Sequence, residues 1–172
     1  MLPRTAFVFS ALSAIVLGGC ATSAMGPSAS ADLQARSGSA VAGKVSFSEA
    51  NGHLRVEAMV SGLTPGEHGF HVHEAGDCSA PDASSAKGHF NPMGKAHGHH
   101  ASEERHGGDM PNLVANAQGE AKYSAEVAGL SLNGPTGIVG RSVVIHADPD
   151  DYKSQPAGNS GKRVACGVIA AR

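Results

Sequence analysis

Between Val41 and Ser61 the chain alternates apolar and polar side chains with a period of two. Val41, Gly43, Val45 and Phe47 are interleaved with Ala42, Lys44, Ser46 and Ser48, and Leu54, Val56, Ala58 and Val60 with Arg55, Glu57, Met59 and Ser61. Successive side chains on a strand point to opposite faces, so this pattern predicts two half-buried strands. Asn51-Gly52 between them is the signal of a tight type I′ turn, and the pair reads as a β-hairpin. The same period predicts strands over Glu67 to Glu74, Asn112 to Asn116, Glu120 to Val127, Arg141 to His146 and Val164 to Ala170, with a first strand starting near Asp32 to Arg36. In Glu67 to Glu74, Phe70 and Val72 point one way and His71 and His73 the other; in the late strand, Val143 and Ile145 face the core and Val144 and His146 face away. From Ala75 to Pro111 neither period is sustained. About eight short strands with two long connections predict an all-β fold, an eight-stranded antiparallel Greek-key barrel or sandwich.

Composition narrows the class. The chain has 172 residues, 41% hydrophobic and only 16% charged, enough for one domain with a core. Its 23 Gly and 9 Pro interrupt any long helix, and the absence of Trp leaves the core to aliphatic residues and a few Phe. A formal net charge of −2, with no basic run, offers nucleic acid no electrostatic footprint.

The first residues read as a targeting segment rather than fold. Arg4 precedes a mostly apolar run, Thr5 to Val16, that is too short to span a bilayer. Leu17-Gly18-Gly19-Cys20 resembles the lipobox of bacterial lipoproteins, in which the Cys is lipidated and becomes the first mature residue. The expected division is a lipoprotein signal peptide over 1–19, a tether over 20–38 that includes the start of the first strand, and one domain over 39–172. Ala21 to about Ser30 is rich in Ala, Ser, Gly and Pro, a composition suited to a flexible tether. The alternative is a plain secretory signal with an incidental Cys. With Cys20 assigned to the anchor, Cys78 and Cys166 remain as a pair in a chain expected to reach an oxidising space, which points to a disulfide. Such a bond would contribute roughly 4 kcal/mol in the chain-entropy account; two free buried thiols are the alternative.

The segment from His71 to Asp109 carries the chemistry. His71, His73, His89, His97, His106 and Asp109 fall within it, and neutral imidazole suits zinc and copper, with a carboxylate able to complete a tetrahedral zinc site. His71 and His73 share one strand face, and His146 repeats their geometry on another strand. Alone, a His-x-His pair is most often solvated or hydrogen-bonded; the whole constellation is far more specific.

The motifs Gly69-Phe70-His71-Val72-His73-Glu74, Gly88-His89-Phe90-Asn91-Pro92, His97-Gly98, Glu104-Arg105-His106, Gly108-Asp109, Gly140-Arg141, His146, Asp150-Asp151, Gly158-Asn159 and Ala165-Cys166-Gly167-Val168-Ile169 together resemble the copper/zinc superoxide dismutases. The resemblance runs from Ala40 to Ala170. It implies a Greek-key barrel with long metal-binding and electrostatic loops, copper on His71, His73, His89 and His146, and zinc on His89, His97, His106 and Asp109, His89 being the bridge. It further implies that Asp150 accepts hydrogen bonds from His71 and His97, that Cys78 and Cys166 form the intrachain disulfide, and that Arg163 docks the anion. The implied reaction is disproportionation of superoxide to oxygen and hydrogen peroxide by alternating reduction and oxidation of copper, with zinc structural and His89 taking up a proton. Lys162, Arg163 and Lys153 supply local positive charge.

The sequence departs from the family in its shorter loop between His146 and Arg163 and in the extra imidazoles His99 and His100. These read as solvated loop residues, the alternative being metal capture or a replacement zinc ligand. His53 and His68 match no ligand position and read as structural. The expected setting is the bacterial cell envelope, as a periplasm-facing lipoprotein touching membrane through Cys20 only; the sequence leaves monomer and homodimer open. Two other functions fit the pattern less well. A non-catalytic copper/zinc-binding protein of the same fold would need neither Arg163 nor Asp150, and a mononuclear zinc hydrolase would need a general base that the shared-ligand pattern does not supply.

Overall fold

The computed structural model describes residues 26–50 and 52–172. The expected signal segment, Cys20, residues 21–25 of the tether and Asn51 of the turn lie outside the described residues. The described residues form ten strands: β1 (Ser28–Ala35), β2 (Ala42–Ala50), β3 (His53–Ser61), β4 (Gly66–His68), β5 (Phe70–His73), β6 (Leu113–Ala115), β7 (Ala121–Val127), β8 (Ser142–His146), β9 (Arg163–Val168) and β10 (Ala170–Ala171). One 3-10 turn, Ser84–Ala86, is the only helical element among the described residues.

The sheet order is β5-β8-β9-β1-β2-β3-β7, with β10 also paired to β1 and with β4 and β6 forming a separate two-stranded sheet. Every pairing between these strands is antiparallel. The neighbours β3–β7 and β5–β8 are not consecutive in the chain, so long connections cross between them in the Greek-key manner expected. β1 joins the two parts of the curled sheet: its start pairs β2 and β10, and its end pairs β9.

The β2–β3 hairpin holds the predicted register, Ala42 opposite Ser61 and Phe47 opposite Val56. β3 alternates exposed and buried residues along its whole length. Phe47, Leu54, Phe70, Leu113, Ile138 and Ile145 are fully enclosed, each contributing about 1.5–3 kcal/mol relative to exposure. Val143 and Ile145 enter this main core. Val144, on the other face of β8, packs instead with Ala83, Ala86 and Cys166, which seats the disulfide segment against the sheet.

Two boundaries differ from expectation. β1 begins at Ser28, so Ser28, Ala29 and Ser30 are strand rather than tether, and Ala29, Ala31 and Leu33 line the core. The expected strand over Glu67 to Glu74 is broken at Gly69: β4 pairs β6 and β5 pairs β8. A Cβ at Gly69 would come within 2.8 Å of the Ser160 side chain, so only glycine lets the chain pass that loop as it changes sheets.

Candidate metal centre

His71 and His73 leave β5 on the face away from the main core, yet both are 0% exposed. Two loops cover that face. The loop after β5 returns beside the strand through isolated bridges, His73 to His89 and His71 to Asp109. The loop after β8 brings Asp150 over His71. His146 ends β8 next to Arg163, its register partner on β9, where the pairing is shifted by a bulge.

Four imidazoles are each held at one ring nitrogen by a group outside the two sets of possible ligands. His71 Nε2 donates to Asp150 Oδ2 at 2.8 Å, His73 Nδ1 to the Lys87 carbonyl at 2.9 Å, His97 Nε2 to Asp150 Oδ1 at 3.0 Å and His146 Nδ1 to the Gly161 carbonyl at 3.3 Å. The other nitrogens, His71 Nδ1, His73 Nε2, His97 Nδ1 and His146 Nε2, are buried with no hydrogen-bond partner, as are His89 Nε2 and His106 Nδ1. A ring fixed through one N–H presents the lone pair of the other, which is how metal-binding imidazoles are set. Ligand atoms of His71, His73, His89 and His146 all lie within 4.8 Å of one another, and so do those of His89, His97, His106 and Asp109.

Electrostatics divides the two groups. Burial holds His73 and His146 well below the ordinary imidazole range, with neighbouring rings pushing the same way. Burial also lowers His71, although Asp150 opposes it, and lowers His89 to about 4. The first group is thus a set of neutral imidazoles, the form that binds metal. In the second group burial raises the Asp109 carboxyl, but the imidazoles of His106, His89 and His97 crowded against it outweigh burial and hold it well below the usual carboxylate range. His97 Nδ1 lies 3.0 Å from Asp109 Oδ2 without hydrogen-bond alignment, as expected of two donor atoms that aim at a common point. Four imidazoles suit Cu(II), and three imidazoles with a carboxylate suit zinc; the donor set fits both ions.

The sequence from 41 to 169 matches the family model described as copper/zinc superoxide dismutase. A copper/zinc superoxide dismutase of Deinococcus radiodurans is 43% identical over 157 residues, covering 84% of this chain and 85% of that protein. One from Aquifex aeolicus is 44% identical over 135 residues, covering 75% and 79%. The chain belongs to the copper/zinc superoxide dismutase family. Another member, from Paramecium bursaria Chlorella virus 1, is 45% identical over 136 residues, covering 75% of this chain and 72% of its own. The crystal structure of the clock protein EA4 superposes with a TM-score of 0.78 at 40% identity, covering 86% of this chain and 96% of that one.

The remaining superoxide dismutase positions surround the two groups. Cys78 and Cys166 are bonded across 88 residues. Arg163 is half-buried, and its Nη1 donates to the Ala83 carbonyl at 2.7 Å, so the segment tied down by the disulfide steadies the guanidinium. Asp150 accepts from His71 and His97 as expected, and also from the Tyr152 N–H at 2.7 Å. These bonds outweigh burial and keep its carboxyl below the usual range. His99 and His100 do not join a group of three or more donors among the described residues; their rings sit 4.7 and 5.6 Å from that of Tyr152. His68 is buried and bonds the carbonyls of His146 and Thr64, both at 2.8 Å.

Several supporting residues have roles that the sequence does not show, Gly158 among them although it falls in a quoted motif. Asn112 exchanges two hydrogen bonds with the main chain of Asp150, at 3.0 and 3.1 Å. Gln155 does the same with His97, and Gly158 packs against the Asp150–His97 contact. Single amides in turn-rich loops are too common to stand out, and the motif around Gly158 does not reveal what the glycine makes room for; only the spatial neighbours do.

Proposed function

We propose that this chain is a superoxide dismutase of the cell envelope, with copper held by His71, His73, His89 and His146 and zinc by His89, His97, His106 and Asp109. The carrying observation is the row of buried, unpartnered ring nitrogens in two clusters of possible ligands, four of them on rings held in place through the other nitrogen. When bound, copper supplies one-electron redox chemistry and zinc a fixed charge without any. The protein supplies the rest. Arg163 offers the superoxide anion a permanent charge and a planar fork of donors beside His146. His89 belongs to both groups, so Nε2 is the atom where a proton can be held and delivered to the departing peroxide while Nδ1 stays beside Asp109, 2.8 Å away. Two superoxide anions and two protons give one oxygen and one hydrogen peroxide.

A storage protein of the same fold is the competing reading. Arg163 and the Asp150 bridge favour the enzyme, because storage needs neither anion docking nor support shared between two metals. Metal analysis and superoxide turnover of the purified protein decide between them: full copper and zinc loading without turnover would overturn the enzyme reading.

Export and anchoring at Cys20 belong to the same proposal, resting on Leu17-Gly18-Gly19-Cys20 and the apolar run before it. A Cys20→Ser variant should leave the membrane fraction; one that stays there refutes the anchor.

A further inference from the structure

The members of the proposed zinc set are not held alike. His89 and Asp109 are bridged to β5 through their backbones. The His106 N–H donates to Asp109 Oδ2 at 2.8 Å. His97 lies in a stretch without helix or strand, and buried main-chain groups there need partners from elsewhere. One side chain provides both. The His97 N–H donates to Gln155 Oε1 at 3.0 Å, and the His97 carbonyl accepts from Gln155 Nε2 at 2.8 Å. A carboxamide carries a donor and an acceptor in one plane, as a peptide does, so this pair reproduces the two-bond exchange of an antiparallel bridge.

The ring is gripped from the same loop, since His97 Nε2 donates to Asp150 Oδ1 at 3.0 Å. Asp150 and Gln155 therefore hold His97 at ring and backbone together, leaving Nδ1 as its one unpartnered polar atom, next to Asp109. Neither grip alone fixes that atom. The Asp150 bond leaves the backbone free to shift, and the backbone pair leaves χ1 and χ2 free to rotate.

We infer that Gln155 is a positioning residue for the zinc site, fixing the His97 backbone so that Nδ1 stays aimed at the point shared with His89, His106 and Asp109. The inference rests on the reading of that set as the zinc site. Gln155 is an exposed residue, so the effect belongs at the low end of the range for residues that support metal ligands, about tenfold in affinity.

Two variants test it. Gln155→Met keeps length and volume but neither hydrogen bond; Gln155→Glu keeps the acceptor but loses the donor. Zinc and copper affinities are measured separately by competition with a chromophoric chelator, and Co(II) placed in the zinc site reports ligand geometry through its absorption bands, independently of turnover. The expected result for Gln155→Met is zinc binding weaker by about tenfold, altered Co(II) bands and copper affinity within about twofold of native, with Gln155→Glu changed in the same direction. Unchanged zinc affinity and Co(II) bands in a folded Gln155→Met overturn the inference, and so does equal weakening of both metals. If Gln155→Met does not fold, Gln155→Glu decides on the same criteria. Native protein that takes up no zinc overturns the zinc-site reading as well, whereas native loading with unaffected variants overturns this inference alone.

Discussion

Gly158→Ala should damage the metal centre without touching a ligand. Gly158 has φ +68°, and a Cβ there would lie 1.8 Å from Asp150 Oδ1 and 2.8 Å from His97 Nε2. The left-handed backbone alone costs alanine about 1–2 kcal/mol. The contact with Oδ1 is far inside any tolerable carbon–oxygen distance, so the carboxylate must swing away from His97 Nε2, 3.0 Å distant, and from the Tyr152 N–H, 2.7 Å distant. Losing the bond to His97 removes about 1.5–3 kcal/mol. Expressed at the zinc site, that is a fall in affinity of between about tenfold and about a hundredfold. Backbone and hydrogen-bond losses together lower the melting temperature of the metal-loaded protein by about 2–4 °C per kcal/mol. Gly88→Ala is the control, because a Cβ there meets nothing within 4 Å and no positive φ is required; it should change stability by less than about 1 kcal/mol. Chelator competition and thermal melting measure both variants. Zinc affinity within twofold of native in Gly158→Ala, with a melt that matches the Gly88→Ala control, would refute the claim that room at Gly158 keeps the Asp150–His97 contact intact.

Three other outcomes follow from the same geometry. His146→Ala removes a nitrogen from the four-imidazole group only, so copper-dependent turnover should vanish while zinc is largely retained; zinc lost before copper contradicts the division of ligands. Arg163→Ala should lower kcat/KM by about tenfold or more, the loss of one charge-assisted contact with the anion. Arg163→Lys should recover only part, since it keeps the charge without the planar fork; equal activity of all three forms would remove Arg163 from anion docking. At His97, burial acts downward but is outweighed by Asp109 and Asp150, which raise it to about 9. Below that value the ring holds a proton that zinc must displace. Zinc affinity should therefore rise by up to about tenfold per pH unit through neutrality and level off above the raised value, with proton release seen by calorimetry in buffers of different protonation heat. An affinity flat across neutral pH would sink this assignment.

The legible parts of the fold are those where large side chains alternate with charged ones. Phe47 opposite Val56, between Ser46 and Arg55 and their neighbours, leaves no doubt about facing or register. β1 is harder to read because its inward residues at Ala29 and Ala31 are small, and Ser28-Ala-Ser-Ala has the composition of a linker; only pairing to β2 and β10 shows it as strand. The break at Gly69 is likewise set by Ser160, which lies ninety-odd residues away in the chain. The candidate site divides along the same line. Imidazoles and Asp109 announce themselves by residue type, whereas Asn112, Gln155 and Gly158 act through main-chain groups and through empty space, which leave no compositional trace.

The pairing of β1 sets an order on folding. Ala29 lies opposite Ala171, and Gln34 opposite Cys166, so two of the partners of β1 lie far along the chain from it. A nascent chain lacks β9 and β10 until synthesis has passed them, and closure of the sheet and the disulfide both wait for those strands. Contacts of such long sequence separation slow folding. A polypeptide built this way stays open while it is being made, and becomes rigid only once β9 and β10 are free to come home to β1.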